Sequence, residues 1–312
     1  MHSRTGSADL VELQSGLVLR SQALACGLSR DAIAWQLQRG SWQRVLTGLY
    51  ATFTGTLSEH QRLQAAALYG GPGAQITGAA ALRKRRLRYA PSDPRVQILV
   101  PPPARRTSRG FVLVTSTKRP DLHPRLHPAM EICSVARAGA DAARSGYALR
   151  DVRAFLTEMV QRRMTTVAAL TEEALRGPKA HSGTLRRVVA ELRAGVRSAP
   201  EAELREVVRR SRMLPLVRWN PTLTASDGTR LPSPDGWIQD AGLALESNSY
   251  EFHASPQDWR RTYERHNRLA AHGVQTLHFT PRDVREDPEY VLATIEKAYL
   301  ERQRGFTAVT AE

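Results

Sequence analysis

The 312-residue chain predicts an α/β fold, α+β overall, in three parts. Three observations carry that prediction. Residues 9–55 read as two short helices split by a tight turn and followed by a small hairpin. Residues 56–197 read as successive helices around one β-hairpin, an α-rich middle region. Residues 198–303 read as helix, three strands, helix, strand, helix. A chain of this length is expected to form two or three domains. Hydrophobic residues make up 41% of it, enough for real cores, so disorder is expected only at the ends, Met1–Ala8 and Phe306–Glu312.

The formal net charge is +15. That balance favours a polyanionic partner, most simply nucleic acid, although an arginine-rich genome would leave the same balance as solvated surface. Cys26 and Cys133 sit in apolar surroundings without metal-like spacing and read as buried free thiols, which suits a reducing cytoplasm. No run approaches the length of a membrane span, so no membrane partner is expected. The N-terminus lacks an apolar core behind its charges, so no signal peptide is expected.

From Leu17 to Ala51 the pattern is definite. Ser21–Cys26 is a short helix stopped by Gly27, and Ser29 is a good N-cap. Arg30–Gln38 places Ile33 and Leu37 on one face, and Gly40 ends it. Trp42–Leu46 and Gly48–Ala51 read as two short strands. Helix, turn, helix, hairpin is the order of a winged helix-turn-helix. Arg30, Gln36 and Arg39 then point outward toward phosphates or base edges, and Arg44 sits on the wing. A helical hairpin packed on the rest of the protein would show the same pattern.

In the middle, Ser58–Tyr69 and Thr77–Leu82 read as helices. The second runs into Arg83-Lys84-Arg85-Arg86-Leu87-Arg88, the densest positive cluster, either a phosphate contact or a solvated loop. Val96–Val100 and Phe111–Val114 read as the two strands of a hairpin, with Pro101–Pro103 ending the first. Met130–Arg144 opens a run of helices. His123 and His127 are four apart, but Pro124 and Pro128 break any helix that would align them on a metal.

Toward the C-terminus, Ser198-Ala199-Pro200-Glu201 opens a helix with a serine cap, an early proline and a glutamate at the third position, a structural role for Glu201. Leu216–Asn220 reads as a strand. Asp235 opens a hairpin that turns at Gln239–Gly242 and ends on Glu246-Ser247-Asn248. Side chains alternate along a strand, so Glu246 and Asn248 share one face, and Asp235 on the partner strand can face the same point. Two carboxylates and an amide oxygen suit a hard cation such as Mg²⁺; an ordinary hairpin with polar ends has the same spacing. Ser255–Ala271 is a long helix bearing Arg260, Arg261, Arg265 and Arg268. A strand, Val274–Phe279, and a closing helix, Pro288–Arg302, follow.

The N-terminal segment resembles the winged-helix domain of AbiEi-like antitoxins of type IV toxin–antitoxin systems. The matching residues are Ala23 to Ser29, Gly40-Ser41-Trp42-Gln43-Arg44 and Gly48-Leu49-Tyr50. The resemblance implies DNA binding at the protein's own promoter, with a cognate toxin or its operator as a further partner. The stretch from Ala79-Ala80 to Arg137 and Asp141 is similar to the region that follows in such antitoxins, without roles that carry over. The C-terminal part is similar to the very-short-patch-repair-like branch of the PD-(D/E)xK nuclease superfamily. Ser198-x-x-Glu201, Pro234-Asp235, Glu246, His253, Leu269-x-x-x-Gly273, His278-Phe279-Thr280 and Asp283-Val284 arrive in order.

That second resemblance implies a restriction-endonuclease-like α/β domain with Mg²⁺ held by Asp235 and Glu246. Glu201 would be the helix acid near the metal or its water, and Asn248 and His253 complete the catalytic set. The chain departs from the pattern at Asn248, whose amide carries no charge and accepts no proton. It departs again at Thr262 and His266, where this branch places aspartates. Two readings stay open. One is a DNA-binding protein of the antitoxin or transcriptional-regulator kind with a weakened nuclease-like domain. The other is an active Mg²⁺-dependent DNA endonuclease targeted by its winged helix. Double-stranded DNA is the expected partner in both.

Overall fold

A computed structural model describes residues 11–127, 130–247, 256–303 and 309–311. The structure is mixed α/β. The chain divides into two compact units, Met1–Val189 and Ala190–Glu312.

In the first unit, β1 (Leu17–Leu19) leads into α1 (Arg20–Ala25) and α2 (Arg30–Gln38), and the hairpin β2 (Gln43–Leu46)–β3 (Leu49–Ala51) follows. The strands form an antiparallel sheet in the order β1-β3-β2. Gly27, at φ +87°, makes the turn between the helices. Ser29 Oγ then accepts the Ala32 N–H at 3.0 Å and caps α2. Val18, Ala23, Ile33 and Tyr50 form the core of this segment, with Leu37 and Trp42 packed against it.

The chain continues through α3 (Glu59–Gly70), β4 (Gln75–Thr77), α4 (Gly78–Lys84), β5 (Val96–Val100), β6 (Val112–Ser116), β7 (Arg125–His127) and β8 (Met130–Ile132). Helices α5 (Val135–Ala143), α6 (Leu149–Gln161) and α7 (Val167–Arg176) complete the unit. The middle region is therefore built on a five-stranded mixed sheet, β6-β5-β4-β8-β7, rather than on helices around one hairpin. The expected hairpin is corrected: β5 and β6 pair in parallel, Val96 opposite Val112 and Val100 opposite Ser116. Residues 101–111 carry the chain back along β5, so proline ends the first strand without reversing the direction of the next. The helix expected from Met130 is also corrected. Met130–Ile132 is a strand beside β4, and helix begins only after Ser134, whose Oγ accepts the Arg137 N–H. Within this unit Asp141 accepts hydrogen bonds from Thr77 Oγ1 and Arg137 Nε, both at 2.8 Å, which gives these polar residues a structural role.

Helix α8 (Gly183–Arg193) leads into the second unit, which opens with α9 (Ala199–Val208). Strands β9 (Arg218–Trp219), β10 (Leu223–Ala225), β11 (Arg230–Leu231), β12 (Gly236–Ile238) and β13 (Leu243–Ser247) come next. They are followed by α10 (Pro256–Ala270), β14 (Gln275–Phe279), α11 (Pro281–Glu286), α12 (Pro288–Arg302) and β15 (Val309–Ala311). The main sheet runs β14-β13-β12-β9: β9, β12 and β13 are antiparallel neighbours, and β14 lies parallel to β13 across the α10 crossover. Gly242, at φ +55°, closes the β12–β13 hairpin after one 3-10 turn. Alternation along β13 sends Leu243 and Leu245 into a core with Leu204, Ile238, Phe279, Val291 and Ile295. Ala244 faces the other way, onto Trp237, Leu269 and Val274. A second sheet, β11-β10-β15, was not legible in advance, because two- and three-residue strands have no periodicity to read. Of the C-terminal stretch expected to be disordered, Val309–Ala311 instead pairs antiparallel with β10, and the remainder lies outside the described residues. Among the described residues no helix is long and apolar enough to cross a membrane.

Candidate functional site

The site lies on the face of β13 and β14 that α10 covers. Glu246 follows Ala244 by two positions and so shares its inward face. The parallel register sets Glu246 opposite His278, and α10 brings Arg265 and His266 over both. Glu246 is 3% exposed, and its Oε1 accepts from Arg265 Nη2 at 2.6 Å. The same guanidinium nitrogen donates to the Ser233 carbonyl at 2.6 Å. The His266 and His278 rings stand 4.2 Å apart. One potential ligand atom each from Glu246, His266 and His278 lies within 4.8 Å of the other two.

Asp235 joins from the start of β12, and its Oδ2 accepts the Ser247 N–H at 2.8 Å. The hairpin thus brings Asp235 and Glu246 within electrostatic reach of each other. Burial raises the Asp235 carboxyl above its ordinary value; the Ser247 N–H opposes that rise, and the nearby Glu201 charge adds to it. Burial likewise pushes Glu246 up to about 7. Arg265 opposes that rise but reaches only one carboxylate oxygen, and Asp235 adds to it. Loss of water lowers both imidazoles, with Arg265 acting in the same direction on each and His266 also on His278.

Glu201 has both oxygens engaged elsewhere. Oε1 accepts from Arg205 Nη2 at 2.5 Å and from Asn220 Nδ2 at 2.6 Å, and Oε2 accepts the Arg197 N–H at 2.7 Å. Ser198 Oγ caps the helix on the Glu201 N–H at 3.1 Å. Glu201 therefore reaches back to Arg197 rather than to the cap residue, and it forms a buried ion pair with Arg205. Asn248 and His253 lie outside the described residues. Among the described residues, the potential ligand atoms grouped with that of Glu246 are nitrogens of the His266 and His278 imidazoles. That is not the all-oxygen set Mg²⁺ requires, so the residues present do not fit Mg²⁺ well.

Beside the carboxylates, a cleft of about 630 Å³ is lined by Arg230, Ser233, Glu264, Arg265 and Arg268. Arg268 Nη2 donates to the Arg230 carbonyl at 2.7 Å, which holds two of these cations on one wall. Sequence reasoning had placed Arg265 and Arg268 on the helix without seeing that they line a cleft.

In the other unit, the solvent-facing side of α2 carries Asp31, Ala34, Trp35 and Gln38, with Arg39 just beyond its end. Trp35 is 54% exposed, and the Arg39 guanidinium lies 4.3 Å from its ring centre. Arg30 and Arg44 are also exposed, whereas Gln36 is half-buried on the flank. Trp35 and Gln38 escaped the sequence reading, although the 100° step from the buried Ile33 places both outward. The basic cluster 83–88 is largely tied into the fold. Arg83 pairs with Glu59 at 2.9 Å and donates to the Pro91 carbonyl, and Arg85 donates to the Cys133 carbonyl. Lys84 is half-buried and Arg86 exposed. Cys133 is buried, which pushes its thiol up to about 12, while Cys26 is only partly buried.

The chain matches no protein-family model and no curated protein.

Proposed function

We propose that the chain is a double-stranded-DNA-binding protein of the antitoxin or transcriptional-regulator kind, and that α2 with the β2–β3 hairpin holds the duplex. The exposed end of α2 carries this reading. Arg39 is stacked on Trp35, Arg44 stands on the following strand and Arg30 at the helix start. Among the described residues no carboxylate pairs with any of the three. A guanidinium without an acid partner is open to phosphates and to guanine edges. The second helix before a hairpin is the element that enters the major groove in winged helix-turn-helix proteins. The net charge of +15 adds sequence-independent attraction, and the cleft beside Arg230, Arg265 and Arg268 offers a second polyanion surface. The test is duplex binding, including DNA from upstream of the chain's own gene, by Arg39→Ala/Arg44→Ala. Affinity about tenfold weaker supports the reading, and unchanged affinity removes it.

A second reading, phosphodiester hydrolysis in the bound duplex, is favoured by one observation. Asp235 and Glu246 converge at one end of a β14-β13-β12-β9 sheet preceded by a helix and crossed by α10, the arrangement expected from the nuclease resemblance. Metal-dependent nicking of plasmid that Glu246→Gln abolishes would support it. No nicking with Mg²⁺ or Mn²⁺ would leave binding as the function.

A further inference from the structure

We infer that Glu246, His266 and His278 form a site for a divalent transition-metal ion of the Zn²⁺ class, rather than for Mg²⁺. The inference does not rest on the DNA-binding reading. Three separate elements converge on the site: β13 supplies Glu246, β14 supplies His278 in direct register, and α10 supplies His266 across them. Ligand atoms of the three lie within 4.8 Å of one another. His266 Nε2 is buried and takes no hydrogen bond from any described residue. Buried polar atoms are nearly always partnered, and a metal ion would supply the partner.

The donor chemistry selects the ion. Imidazole suits Zn²⁺ and its neighbours in the first transition row, whereas Mg²⁺ takes oxygen ligands. Two histidines and one glutamate with an open fourth position is a ligand set of catalytic zinc. Zinc–ligand bonds of ~2.0–2.1 Å hold tetrahedral ligands about 3.3 Å apart, so atoms lying within 4.8 Å of one another need draw together by no more than about 1.5 Å. His278 lies at an exposed position on β14. Glu246 gives Oε1 to Arg265 and keeps Oε2 for the ion. A hydrogen bond on the second oxygen is how ligating carboxylates are commonly oriented.

The test titrates the untagged full chain, stripped with chelator, with Zn²⁺ and separately with Co²⁺, whose visible absorption strengthens on passing from six water ligands to a four-coordinate site. One equivalent of Zn²⁺ should bind, and Co²⁺ should give a visible band that Zn²⁺ displaces. His266→Ala and His278→Asn should each weaken binding about tenfold or more, the loss that even supporting residues of metal sites produce. His272→Ala, outside the cluster, should not. Circular dichroism establishes which variants fold; should His266→Ala fail, His278→Asn at the exposed position decides alone. Binding that survives the histidine substitutions, binding lost in Asp235→Asn but kept in the histidine variants, or no stoichiometric Zn²⁺ site in the folded wild-type chain would each overturn the inference. Loss of duplex binding on substituting Arg39 and Arg44 bears on the DNA-binding reading alone.

Discussion

Replacing Glu201 by glutamine asks whether this carboxylate is a structural ion or part of a metal cradle. Glu201 is 1% exposed and Arg205 5%. An amide of the same shape removes the charge and leaves the Arg205 guanidinium buried without its carboxylate. Breaking a buried ion pair from one side costs about 3–5 kcal/mol. Arg205 keeps the Ala194 and Gly195 carbonyls at 3.0 and 3.2 Å and its place 4.9 Å over the Trp219 ring. The lower end, about 3 kcal/mol, is therefore expected. Adding Arg205→Met removes the stranded cation, and the double variant should recover about 1.5 kcal/mol or more of that loss as coupling. Urea unfolding followed by fluorescence reads these costs, with Trp219 and Trp237 reporting on this unit. At a slope of about 2 kcal/mol per molar, the Glu201→Gln midpoint falls by about 1.5 M. A loss under about 0.5 kcal/mol with no coupling would refute the structural role, because a contributing buried pair does not vanish from the cycle.

Glu158 offers a pH test. Burial raises its carboxyl, but the Tyr89 and Arg88 N–H groups and Arg162 outweigh burial and hold it below the ordinary value. A lowered folded value contributes stability above the unfolded value and loses it as pH falls through the folded one. Glu158→Gln should therefore cost about 1–3 kcal/mol at pH 7, with the difference from wild type closing in acid thermal melts. At Gly236 an added Cβ would lie 3.0 Å from Trp219 Cζ3 and 3.3 Å from Leu245 Cβ, so Gly236→Ala should cost about 1–3 kcal/mol by overpacking, read as a lowered melting temperature. In the basic cluster, Arg85→Ala should lower the melting temperature through loss of its bond to the Cys133 carbonyl. Lys84→Ala with Arg86→Ala should leave melting unchanged and flatten the salt dependence of duplex binding by up to about 0.9 for each phosphate no longer neutralised.

Local grammar was the legible part of the fold. Ser29 and Ser198 cap helices where a serine precedes an amphipathic run, and Gly27 and Gly242 turn the chain where only small residues turn easily. The element order around the β12–β13 hairpin followed from alternation and from the long polar helix. Pairing direction was not legible. Val96–Val100 and Val112–Ser116 carry the same apolar pattern whether parallel or antiparallel, and only the path of residues 101–111 decides. Met130-Glu131-Ile132 is not separable from the helix behind it by pattern, because three residues are too few to fix a period.

In the candidate site, Asp235 and Glu246 were placed together by strand alternation alone. Arg265 on Glu246, and His266 against His278, depend on how α10 crosses the sheet, which no spacing within one element encodes. Glu201 was assigned to the metal by resemblance, yet Arg205, one helical turn on, claims its charge. That pair sits at the i,i+4 spacing at which opposite charges meet on a helix, a signal present in the sequence.

The most direct test of the central claim is the salt dependence of duplex binding for the wild-type chain against Arg30→Ala/Arg39→Ala/Arg44→Ala, read by fluorescence anisotropy. Affinity should fall at least about tenfold in the triple variant, with a log–log salt slope shallower by about 0.9 for each phosphate that the three arginines neutralise. The same affinity and the same slope in both proteins would contradict that claim.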